Sequence, residues 1–82
     1  MSDIKHVKYN LHYVRKYVFG ESQEKFAERV NISVDTVSNI ERGKVVPKLQ
    51  NLVSIANAVG KPVDYFLNER NKEVLNLQEF LS

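Results

Sequence analysis

Only five residues that readily interrupt a helix, Gly20, Gly43, Pro47, Gly60 and Pro62, occur in this 82-residue chain. Between them, apolar residues recur at steps of three and four, which lines up one face of an α-helix. The many short strands of an all-β fold would need more turns than these residues supply. An all-α fold is therefore expected, and the length allows one domain with one modest core.

Ile4, Val7, Leu11, Val14 and Val18 form the apolar stripe of a first helix that should stop at Gly20. Ser22 reads as the N-cap of a second helix, with Glu24 in its first turn and Phe26, Ala27 and Val30 turned inward. Asn31 and Ile32 separate it from another N-cap, Ser33, after which Val37 and Ile40 give a third helix its buried pair, ended by Gly43. Leu49, Leu52, Val53, Ile55, Ala56 and Val59 make the wide stripe of a fourth helix closed by Gly60. Pro62 suits the first turn of a fifth, Val63 to Leu67. A polar break follows, and beyond it Val74, Leu77 and Leu81, with Leu75 and Phe80 nearby, suggest a short helical tail. That tail either folds onto the first helix or pairs with its copy on a second chain. The expected division is a domain over residues 1–67 and a tail over 68–82.

Charge is a weak guide. The net value is +2, with Lys5, Lys8, Arg15 and Lys16 against Asp3 alone in the first twenty residues. Cysteine is absent, which removes disulfides and thiolate metal sites and suits a reducing compartment. No signal-like apolar run precedes Val7, and nothing approaches the roughly 20 apolar residues of a membrane span. A cytoplasmic protein without a membrane partner is expected.

Catalysis is not expected. His6 and His12 lie on different sides of the first helix without a partnering nucleophile, and no spacing of serines and acids resembles a triad, phosphate loop or metal site. No cofactor or metal is implied. Tyr9, Tyr13 and Tyr17, spaced by four on one helix with Tyr65 apart, read as packing or as an interaction stripe rather than as a stacking platform.

The two short helices within residues 23–42 carry the functional signal. Ala27 is small where the helices must cross, and Asn31 falls where the turn needs a left-handed residue. A hairpin used only for packing would explain both. It would not explain the outer face of the third helix, where stepping about 100° per residue from Val37 and Ile40 places Asp35, Ser38, Asn39 and Arg42. Short polar side chains are weak helix formers but good readers of base edges: asparagine bonds adenine with two hydrogen bonds, serine bonds several bases, and an acid accepts from cytosine.

Taken together, Ser22-Gln-Glu-Lys-Phe-Ala, Ser33, Val37, Ile40-Glu-Arg-Gly-Lys44, Pro47, Ile55-Ala56 and Val63-Asp64 resemble the Cro and phage-repressor type helix-turn-helix family over about residues 8–67. The resemblance implies a compact, five-helix, lambda-repressor-like domain with helix 3 in the major groove of double-stranded DNA, usually bound as a homodimer to a palindromic operator. It places Val34, Asp35, Ser38 and Asn39 at base-facing positions. Gln23, Ser33, Thr36, Arg42 and Lys44 fall at phosphate-contacting ones. It also suggests an internal ion pair between Glu41 and Arg15, which requires one extra residue in the loop from Phe19 to Ser22. Asn31 replaces the usual glycine, and Asp35 brings a negative charge toward DNA. The implied function is transcriptional repression; the other reading is a protein-interaction module, such as an antitoxin-like partner, with the same fold.

Overall fold

The computed structural model describes residues 6–68, and Ile4 and, but for Asn68, the expected tail lie outside them. Five helices follow in order: α1 (His6–Tyr13) continuing into a π-helical segment (Val14–Phe19), α2 (Gln23–Val30), α3 (Val34–Glu41), α4 (Leu49–Val59) and α5 (Val63–Leu67). α1 packs on α3 and α5, α2 on α3 and α4, and α4 on α5. The core between them joins Val7, Leu11 and Val14 to Phe26, Ala27, Val30, Val37, Ile40, Leu52, Ile55, Ala56 and Phe66.

Each helix starts and stops for a local reason. Ser22 Oγ accepts from the Lys25 N–H at 3.1 Å, and Ser33 Oγ from the Thr36 N–H at 3.2 Å, satisfying donors that the first turns of α2 and α3 would leave unpaired. α2 ends at Asn31 with φ +61°, the one non-glycine residue with positive φ among those described. The Ile32 N–H reaches back to the Ala27 carbonyl at 3.1 Å, closing the last turn and redirecting the chain into α3. Asparagine tolerates this conformation, so the missing glycine costs the turn little.

The first helix departs from its expected course. Val18, placed in the buried stripe by α-helical stepping, is 50% exposed, while Phe19 packs against the core. The π-helical turn is the reason. A step of five rather than four residues from the fully buried Val14 brings Phe19 to the inner face and rotates Val18 outward. The extra residue anticipated in the loop is thus absorbed within the helix, which closes at Gly20 with φ +63° and its N–H on the Arg15 carbonyl.

Two other expectations are corrected. Leu49 and Val53, expected on the inner stripe of α4, are 71% and 37% exposed; Leu52, Ile55 and Ala56 alone are fully turned in, a narrower face than the apolar count implies. Conversely, Asn10 is 1% exposed. Its side-chain amide donates toward the carbonyls of Tyr65, Phe66 and Asn68 at 3.2, 2.9 and 2.7 Å, so a polar residue fastens α5 to α1.

Candidate nucleic-acid interface

α2 and α3 meet through the short turn at Asn31 and Ile32, with Ala27 buried at 4% exposure where they pack. Val37 and Ile40 are sunk in the core, which fixes the rotation of α3 and so decides what faces out. On that outer side Val34 is 38% exposed, Asp35 and Arg42 are exposed, and Ser38, Asn39 and Thr36 are half-buried. Lys44 is exposed just beyond the helix end.

Several of these residues have local structural duties. Asp35 stands in the first turn of α3, where a negative charge complements the helix N-terminus. The Ser33 and Thr36 hydroxyls share a hydrogen bond at 2.8 Å, so these two expected backbone contacts are held as a pair. The Asn39 carbonyl accepts from the Lys44 N–H at 2.9 Å, and the Ile40 carbonyl from the Gly43 N–H at 3.0 Å, wrapping the segment after α3 against its last turn.

Behind this face sits a charged cluster. Arg15 Nε donates to Glu41 Oε2 at 2.7 Å and Nη2 to Oε1 at 3.1 Å, while its Nη1 donates to the Glu21 carbonyl at 2.7 Å. Gln23 Nε2 donates to Glu41 Oε1 at 3.0 Å, so the first residue of α2 is tied to the end of α3. Burial pushes the Glu41 carboxyl up, but hydrogen bonds from Arg15, Gln23 and His12, with the Arg15 charge, more than offset this and hold it below the ordinary range. A second exposed pair, Arg29 with Glu21 at 2.7 Å, flanks it, and the Arg29 guanidinium lies 4.2 Å from the Phe19 ring centroid.

His12 was missed in the sequence. Read as an ordinary flank residue, it lies with Nδ1 3.3 Å from both Glu41 Oε1 and Arg15 Nη2. Its place one helical turn before Arg15 was the available signal. For Asn10, the signal was its helical phase with Val7 and Val14. The exposure of Leu49 and Val53 was missed because apolar residues on a helical stripe are ordinarily inside; Val45 and Val46, in the loop before α4, add to this apolar surface. Among the described residues no group of three or more histidines and carboxylates could hold a metal ion, and no helix is long and apolar enough to cross a membrane.

Two short helices locked at a fixed angle, the second presenting a polar face, define a helix-turn-helix unit. The family described as helix-turn-helix matches residues 19–66, and the chain belongs to it, in the Cro and phage-repressor type. It is also similar to YgzD, an uncharacterized HTH-type transcriptional regulator of Bacillus subtilis (strain 168), being 38% identical over 55 residues, which are 65% of this chain and 83% of the relative. No solved structure was found to match.

Proposed function

We propose that this protein is a sequence-specific transcriptional regulator that binds double-stranded DNA and lays α3 in the major groove. Val34, Asp35, Ser38 and Asn39 meet base edges, Val34 toward a thymine methyl, Asp35 toward a cytosine amino group and Asn39 toward adenine. Gln23, Ser33, Thr36, Arg42 and Lys44 meet the phosphodiester backbone and set the register. The observation that carries this reading is the outer side of α3. Short polar side chains, poor choices for a helix that only needs solvation, stand together on the face opposite Val37 and Ile40. Membership of the helix-turn-helix family and the similarity to YgzD, an HTH-type transcriptional regulator, support it.

The proposed site is a two-fold-symmetric operator occupied by two copies, with repression as the outcome. The exposed apolar residues after α3, Val45, Val46, Leu49 and Val53, are the surface proposed to meet.

Selection of bound sites from random duplex DNA, with a mass measurement of free and bound protein, tests this. Enrichment of a palindrome bound by two chains, with affinity falling steeply as salt rises, is the expected result. A pool that stays random after selection contradicts it and leaves α3 as a protein-docking face.

A further inference from the structure

Lys8 on α1 lies across the segment that ends α3. A β-carbon on Gly43 would stand 3.1 Å from Lys8 Cδ and 3.2 Å from Lys8 Nζ, so the Lys8 side chain passes close over Gly43. Gly43 itself has φ +76°, a conformation that strains any other residue, and a side chain there would push Lys8 aside by a few tenths of an ångström. Its neighbours Arg42 and Lys44 are both exposed. Lys8, from α1, therefore meets the short stretch of chain that carries Arg42 and Lys44.

The gathering is not explained by internal pairing. Among the described residues, the carboxylates that form ion pairs are Glu21, taken by Arg29, and Glu41, taken by Arg15 and His12. Nor is Lys8 needed as a hydrogen-bonding cap for α3. The Ser38, Asn39 and Ile40 carbonyls already accept from the backbone N–H groups of Arg42, Lys44 and Gly43. The Lys8 side chain is steadied instead by the Tyr9 ring, whose centroid lies 5.1 Å from Nζ. Positive residues brought to one stretch of chain raise the potential there, which favours an anion.

We infer that Lys8, Arg42 and Lys44 form one anion site that takes a phosphodiester of the DNA backbone beside α3, making Lys8 a DNA contact supplied by α1. This rests on the proposed DNA-binding function and adds to it a residue outside the helix-turn-helix unit. Gly43 is then required twice, for its left-handed backbone and to let Lys8 pass.

The test is binding to a short duplex of random sequence, followed as salt is varied, for the unmodified protein, Lys8→Gln, Lys8→Arg and a control, Lys16→Gln, whose ammonium lies 5.6 Å from the Tyr17 ring centroid. Lys8→Gln should weaken binding about three- to tenfold and reduce the slope of log affinity against log salt by about one. Lys8→Arg should restore the slope, and Lys16→Gln should leave it unchanged. An unchanged slope in Lys8→Gln, with or without a lower Tm for the free protein, overturns the site while leaving the DNA-binding reading intact. Failure of the unmodified protein to bind any duplex overturns both.

Discussion

Arg15 in the π-helical continuation of α1 and Glu41 at the end of α3 form a two-point ion pair, with contacts of 2.7 and 3.1 Å. The side chains are 13% and 7% exposed, so the pair is largely shielded from water. Gln23 donates to the same carboxylate, and one acid thus joins α1, α2 and α3. Its position fixes how the outer face of α3 is presented.

Glu41→Ala should destabilise the protein by about 3 kcal/mol, because it leaves the shielded Arg15 guanidinium without its partner. The urea midpoint measures this. A change below about 0.5 kcal/mol would show that the pair orders α3 without stabilising the fold.

The same carboxyl sets a pH dependence. Glu41 is held below the ordinary carboxylate value of 4.5 in the folded protein. A group whose pKa is depressed by folding lends stability that is fully present above its unfolded value and is lost as pH falls through the folded one. The stability difference between the unmodified protein and Glu41→Gln should therefore be constant above the unfolded value and shrink as pH falls from there through the folded one. Glu21, lowered by its hydrogen bond from Arg29, contributes equally to both proteins and cancels. A difference that holds steady down to roughly pH 3 would contradict the assignment.

The π-helical segment makes its own prediction. Val18→Ala removes an exposed side chain and should change stability by no more than about 0.5 kcal/mol. Phe19→Ala removes a ring that packs on the core, 6.3 Å from the Phe26 ring centroid, and should cost about 2 kcal/mol. Chemical denaturation of the two variants distinguishes this register from continuous α-helix, in which the larger cost would fall on Val18.

The helix order and most of the core were legible because Val7, Leu11, Phe26, Val37, Ile40 and Ile55 are apolar residues at helical spacing, and Ser22, Asn31, Ser33 and Gly60 are local punctuation whose effect needs no tertiary context. Val18 was misplaced because α-helical stepping presumes a constant turn, and nothing local between Val14 and Phe19 marks the wider one. Leu49 illustrates a related limit: periodicity tells which residues share a face but not how far a neighbouring helix covers it. Asn10 and His12 gain their roles from partners 55 and 29 positions away, which no local pattern records. At the candidate site, the polar stripe of α3 was visible directly from Asp35, Ser38 and Asn39. The approach of Lys8 to Gly43 depends on the packing of α1 against α3.

Base reading by the outer face of α3 is tested most directly by comparing Asn39→Ala and Arg42→Ala on the selected operator and on random duplex DNA at one salt concentration. Asn39→Ala should lower the preference for the operator by ~1–3 kcal/mol with little change on random DNA, whereas Arg42→Ala should weaken both alike. Equal losses on the two DNAs for Asn39→Ala would contradict direct readout by this face.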